Sequence, residues 1–409
     1  MRSTSNNNWI RSVLILSTGW FLLYAARTVL SVTLKDIADY WTLTESALGL
    51  ISSSFFLAYT ALQIPTGFLA DKLGSKKVLL VGFSLQSVAV LLSGFAVTHQ
   101  QFLWTRVISG AGQATYFACQ FAIISKIVPE ERKALGNSAS VAGSALGTGL
   151  GMIFGRLLSN SAMGWRLPFI VLGCASVAFI FAIIKYVPEP ELSSKGSTGV
   201  DRVESAVDDH NEPESYQRSS VLFLILFSVT HFLSMYGFYL MLTWLPYYLQ
   251  AIRGFSPSLS ATIPVVMPFV MAPATILGGY ISDRLGSKAS VINVCLPLSA
   301  IATVAIPLAN STATLVFFLA LYGATGKLVI DPGLINYVSE SSPPESRSTM
   351  LALFNFAGAL AMAVAPAVTG YLAEAIGSFD VSFFMAGGFN LLALVSFIVA
   401  ARLFESRKR

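Results

Sequence analysis

The chain has 409 residues, of which 54% are hydrophobic and only 11% charged, with a mean hydropathy of +0.68 and a formal net charge of +5. A soluble domain carries about 25% charged residues, so a soluble enzyme, a disordered protein and a nucleic-acid binder are excluded. An integral membrane protein is implied. Cys119, Cys174 and Cys295 lie far apart in apolar runs, with neither metal-ligand spacing nor a secreted disulfide pattern. No Ser/His/Asp or Cys/His constellation appears, so no enzyme, cofactor or metal is expected.

Met1 to Asn8 is polar and lacks the small-residue cleavage site of a signal peptide. A spanning helix needs about 20 mostly apolar residues. Such segments fall near 10–34, 46–70, 78–98, 101–126, 134–157 and 166–187. A second set follows near 219–249, 258–282, 289–309, 312–338, 348–374 and 379–403. The expected fold class is an all-α integral membrane protein, with twelve transmembrane helices in two pseudo-symmetric six-helix bundles. The bundles take residues 1–187 and 219–409. The polar, acidic stretch 188–218 between them cannot bury a core and reads as a flexible linker.

Two features tie the halves together. Gly67-Phe-Leu-Ala-Asp71-Lys72-Leu73-Gly74-Ser75-Lys76 recurs 212 residues later as Gly279-Tyr-Ile-Ser-Asp283-Arg284-Leu285-Gly286-Ser287-Lys288, after the second span of each half. Pro129-Glu130 and Arg132 are echoed by Pro344-Glu345 and Arg347 after the fourth. Lys and Arg are also distributed unevenly. With both termini inside, nineteen fall in inside segments and four outside, which sets the orientation. The basic balance is thus an orientation signal, and anionic lipid headgroups are the expected partners of the basic face.

Ionisable residues inside a membrane are costly and mark functional sites. Away from the span ends, four charged side chains fall within spans: Arg27 in the first, Arg106 nearer the outer end of the fourth, and Lys327 and Asp331 in the tenth. His231 in the seventh is a fifth ionisable group. The sites sum to positive, so the interior attracts an anion. Arg27 offers a planar fork suited to a carboxylate or phosphate. Lys327 and Asp331, four residues apart, share a helix face. They form either a self-neutralising pair or an anion site beside a proton carrier. Asp331-Pro332-Gly333 is expected to interrupt that helix. His231 is either a packing residue or a group that titrates near neutral pH. Tyr59, Gln113, Tyr236, Tyr239 and Asn355 are candidate partners for substrate hydroxyls, or hydrogen-bonding glue between helices. Gly143, Gly147, Gly151 and Gly155 repeat every four residues in the fifth span, a spacing for close helix packing rather than a phosphate loop.

The paired loop motif, with Lys77 following its first copy, and Arg106 with Gly110 and Gly112 resemble signatures of the major facilitator superfamily. Within it, the chain is most similar to the anion:cation symporters, the branch of sugar-acid, hexuronate and sialic-acid carriers. The residues that carry this are Tyr24-Ala-Ala-Arg27-Thr-Val-Leu-Ser31 and Phe55-x-x-x-Tyr59-x-x-x-Gln63-x-Pro65-x-Gly67. Gly164-Trp165-Arg166, Tyr236-Gly-Phe-Tyr239, Thr243-Trp244-Leu245-Pro246 and Asn355 with Gly358 complete the set. The resemblance implies alternating access and Arg27 as the anion clamp. It makes the loop motifs around Asp71 and Asp283 the gates.

Two positions depart from the branch. Ala26 and Gln113 stand where relatives often place proton-coupling carboxylates, which leaves Asp331 and then His231 as candidate proton carriers. The expected activity is transport of a small organic anion with protons across the cytoplasmic membrane, by a chain sufficient as a monomer. An organophosphate antiporter would want an arginine in the seventh span, which is absent. A drug or metabolite exporter would leave Arg27 and Lys327 without a role.

Overall fold

Hydrocarbon offers no hydrogen bonds to a backbone, so a chain this apolar crosses a membrane as helices, which close their own bonds. The computed structural model describes residues 8–129, 132–189, 214–285, 288–343 and 346–408. These form α1 (Asn8–Trp41), α2 (Glu45–Leu73), α3 (Ser75–Ser93), α4 (His99–Ile127), α5 (Lys133–Ser159) and α6 (Arg166–Tyr186). The second half contains α7 (Glu214–Tyr247), α8 (Pro257–Thr262), α9 (Val266–Leu285), α10 (Lys288–Leu308) and α11 (Thr312–Thr325). It ends with α12 (Lys327–Ser341), α13 (Arg347–Ile376) and α14 (Asp380–Lys408). Among the described residues, twelve stretches are long and apolar enough to span a membrane. The chain is an all-helical, multi-pass membrane protein.

Two compact units emerge: Met1–Ser193 with Leu242–Val265, and Ser194–Met241 with Val266–Arg409. The end of α7, with the π-helical turn Tyr248–Ile252 that follows it, and α8 thus cluster with the first unit. Most of the expected linker, together with Gly286 and Pro344-Glu345, lies outside the described residues.

In the first unit the glycine ladder of α5 lies against α1. A Cβ on Gly143 or Gly147 would collide with the backbone carbonyls of Ser17 or Phe21, and one on Gly151 with Ala25. The packing reading of that repeat holds. Gly110 meets the Phe55 backbone of α2 in the same way, and Gly112 meets Gly82 and Gln86 of α3. Backbones this close gain contact over many atoms, the main attraction between helices when lipid is as apolar as leucine. At the centre, Trp20 packs edge-on against Tyr116 at 5.0 Å and donates to the Gln120 side chain, while the Tyr116 hydroxyl donates to Leu16 O at 2.8 Å.

Gly147→Val should therefore cost at least about 1–3 kcal/mol, the usual penalty for overpacking, since the opposing atoms are backbone. Gly388→Ala, where a Cβ faces open space, should be tolerated. Thermal unfolding of the purified variants checks the contrast.

The second unit is held by an aromatic cluster. Phe227 of α7 stacks on Tyr337 of α12 at 5.3 Å, and Tyr337 meets Phe397 and Phe404 of α14 at 5.6 and 5.8 Å.

The tenth span differs from expectation in one respect. It breaks at Gly326, which adopts an extended conformation between α11 and α12, and the helix then runs through Pro332. With α12 beginning at Lys327, Pro332 lies in its second turn and removes a single hydrogen bond. Glycine, free of a Cβ, takes the sharper deviation. The break therefore lies immediately before Lys327, not after Asp331. Smaller differences occur elsewhere: α1 continues to Trp41, and α3 stops at Ser93, where Gly94 caps it.

Candidate functional site: an arginine cavity and a Lys–Asp–His cluster

In the first unit, α1 and α4 carry one arginine each toward the same aromatic residue of α2. The Arg27 guanidinium carbon lies 4.3 Å from the Phe56 ring centroid, 5.1 Å from Tyr24 and 5.8 Å from Phe55. That of Arg106 lies 4.8 Å from Phe55. Phe55 therefore contacts both cations, and its ring face offsets a fraction of their desolvation, about 0.5–2 kcal/mol each. Both arginines line a cavity of about 20 Å³, together with Thr28, Ser31, Ser52 and Thr243. That volume holds roughly one water molecule. Among the described residues no carboxylate lines the cavity.

The hydroxyls are already engaged: Ser31 donates to Thr28 O at 2.8 Å and Ser52 to Leu48 O at 3.0 Å. The positive potential of the cavity thus comes from the guanidiniums. Arg106 is only 2% exposed, yet its Nε and Nη1 have no hydrogen-bond partner among the described residues. Ser109 and Gln113, on the same face of α4, are buried with side-chain polar atoms equally unmatched. Buried cationic and amide groups left without acceptors are unfavourable in a resting fold. They are suited to an anion that supplies the acceptors. Tyr59 is buried and stacked on Phe55 at 6.5 Å, one residue removed from the cavity.

In the second unit, α12 starts at the Gly326 break and presents Lys327 and Asp331 one turn apart. Lys327 Nζ lies 3.9 Å from Asp331 Oδ2. The other carboxylate oxygen faces α7, with His231 Nδ1 at 3.4 Å from Asp331 Oδ1. His231 is 3% exposed and its ring stacks on Phe354 at 4.2 Å. Gly358, one turn further along α13, gives the imidazole its space, since a Cβ there would overlap Nε2. Lys327 also lies over the rings of Phe238 and Tyr239, at 5.2 and 5.8 Å. Asp331 thus sits between a lysine and a histidine.

The remaining candidates are dispersed. The Tyr236 hydroxyl bonds Thr369 at 3.2 Å, and its ring packs on Phe389 inside the second unit. Asn355 is exposed. In the loop motif, Gly74 ends α2 with a positive φ of 97°, a conformation that favours glycine, and donates its N–H to Ala70 O. Asp71 and Lys72 are exposed, whereas Lys76 donates to Ile184 O at 3.0 Å. Gly67 and Gly279 both face open space where a Cβ would project. Arg284 is exposed, and the side chains of Asp283 and Lys288 lie outside the described residues.

Twelve spans, a repeated loop motif and a few charged side chains placed inside the spans define a membrane transporter rather than an enzyme. The Major Facilitator Superfamily profile matches residues 16–292 and 227–409, and the chain belongs to that family. It is 26% identical over 411 residues to the human voltage-gated purine nucleotide uniporter SLC17A9, covering 96% of this chain and 91% of the relative. It is 28% identical over 416 residues to the probable galactarate/D-glucarate transporter GarP of Escherichia coli K12, covering 92% and 90%. Among solved structures, a bacterial homolog of the human lysosomal transporter Spinster, inward-facing and occupied, superposes with a TM-score of 0.80. It is 17% identical and covered over 98% of both chains.

Proposed function

We propose that the chain is a secondary transporter of a small organic anion, a sugar acid or related carboxylate, working by alternating access with proton symport. The observation that carries this reading is the cavity shared by Arg27 and Arg106, which two guanidiniums and, among the described residues, no carboxylate line. The relatives named above are a nucleotide carrier and a probable sugar-acid carrier, and both substrates are anions. A carboxylate suits the planar fork of Arg27. Tyr59, Gln113, Tyr236, Tyr239 and Asn355 would serve the hydroxyls of a polyol chain, and Lys327 would add a third cation.

In the same reading the halves 1–187 and 219–409 are the moving parts, and the motifs at Gly67–Lys76 and Gly279–Lys288 gate them. Both termini face the cytoplasm, and one chain is the transport unit. Asp331, flanked by Lys327 and His231, is the proton carrier.

The test is counterflow in proteoliposomes. Vesicles preloaded with D-glucarate should accumulate labelled D-glucarate, and other aldarates or hexuronates should compete. Competition by organic cations with none by carboxylates would overturn the anion assignment. Competition by ATP alone would move the substrate class to nucleotides.

A further inference from the structure

A larger cavity lies in the first unit, away from the arginine site, where α1 begins and α6 ends. It measures about 380 Å³ and is lined by Arg11, Lys76 and Lys185, with Trp9, Ser12 and Tyr186 among its walls. We propose that it binds the phosphate-bearing headgroup of an anionic phospholipid.

Three observations converge. The cations are gathered on one ring and one helix end. The Arg11 guanidinium lies 4.7 Å and Lys185 Nζ 5.2 Å from the Tyr186 centroid, and Lys76 Nζ bonds Ile184 O at 3.0 Å. The floor is fixed, because Ser12 Oγ donates to Tyr186 O at 3.0 Å, pinning α1 to the end of α6. Apolar side chains adjoin the cations along the same helices. Leu14, one turn from Arg11, is 60% exposed, and Phe181, one turn from Lys185, is 72% exposed.

A phosphate among the cations with acyl chains along Leu14 and Phe181 fits a lipid. A soluble phosphate would leave that apolar strip without a role. Trp9 and Tyr186 are residue types enriched at membrane–water interfaces, and this end carries the excess of Lys and Arg that marks the anionic leaflet. Capping of the α6 carbonyls explains the Lys76 contact. It does not explain a cavity of this volume or the placement of Arg11. Among the described residues no carboxylate lines it; the nearby Glu189 leans instead on Gly74.

The test uses the full chain in detergent, with lipid adducts counted by native mass spectrometry. Dioleoyl phosphatidylglycerol should be retained in preference to dioleoyl phosphatidylcholine. Each cation removed, in Arg11→Gln or Lys185→Gln, should weaken that preference by about fivefold. Lys185 is exposed, so its variant keeps the test valid if Arg11→Gln fails to fold. Inorganic phosphate at equal concentration should not displace the lipid. Displacement by phosphate would assign the cavity to a soluble anion and overturn the lipid reading. Unchanged lipid preference in the variants, with only a lowered unfolding temperature, would reduce the cluster to a helix cap.

Discussion

Arg27→Ala is expected to abolish substrate-dependent thermal stabilisation and counterflow while the protein still inserts and remains monodisperse. Truncating one partner of a buried, hydrogen-bonded charge pair costs about 2–5 kcal/mol, which is about 30-fold to several thousand-fold in affinity. The aromatic surroundings make Arg27→Lys an equally informative variant. The guanidinium lies close to Tyr24, Phe55 and Phe56. A planar cation can stack on such rings while presenting two parallel N–H groups to a carboxylate; an ammonium cannot do both. Lysine should therefore fail as a substitute.

Arg106 separates binding from folding. Its Nε and Nη1 lack partners in the described structure, so the ligand-free fold carries the desolvation penalty with little return. Replacing a buried charge by an apolar residue of similar volume is often stabilising by about 1–4 kcal/mol. Arg106→Met should accordingly raise the unfolding temperature of the ligand-free protein and lower its affinity for D-glucarate. A variant that loses both stability and binding would make Arg106 a structural residue, and the cavity would then rest on Arg27 alone.

The helices and their number were legible because their signal is local: twenty apolar residues in a row need no knowledge of the rest of the chain. The glycine ladder of α5 was legible for the same reason, its period matching one face of a helix. Depth counted along a helix was a weaker guide. It put Arg106 nearer one end of its span but gave no sign that Arg106 shares the Phe55 ring and a cavity with Arg27. That depends on how far the first arginine's long side chain reaches, and on which face of α2 turns inward. The sequence points to a break at Asp331-Pro332-Gly333, where proline forbids a hydrogen bond and glycine loosens the turn, yet the break falls at Gly326. Contacts across a hundred residues were the least legible. Nothing in the local sequence around His231 announces Asp331 as its neighbour. The only hint was Gly358, whose missing side chain leaves room for the imidazole.

Asp331→Asn is expected to abolish accumulation driven by a pH gradient while leaving substrate exchange intact. Ala26 and Gln113 leave the middle of the first and fourth spans without a carboxylate, Asp36 and Asp39 lying near the end of α1, so Asp331 is the acidic residue placed deep in a span. Its two oxygens face different partners, Lys327 at 3.9 Å and His231 at 3.4 Å. Both distances exceed a formed hydrogen bond, so small movements of α7 or α12 would favour one contact over the other. A proton on Asp331 would release Lys327 to meet the substrate anion, and its departure would restore the pair. Asparagine keeps the shape and removes the titration, so exchange, which needs no net proton movement, should continue at a rate near that of the parent protein. Gly358→Ala supplies an independent check without touching a charge. Its Cβ would displace the imidazole, so gradient-driven uptake should fall while the affinity for D-glucarate at fixed pH is retained. Uphill uptake that persists in Asp331→Asn and falls in His231→Gln would transfer the proton to the histidine. Parent protein that exchanges D-glucarate but ignores a pH gradient would be a uniporter or an exchanger, with the Lys327–Asp331 pair holding α12 together.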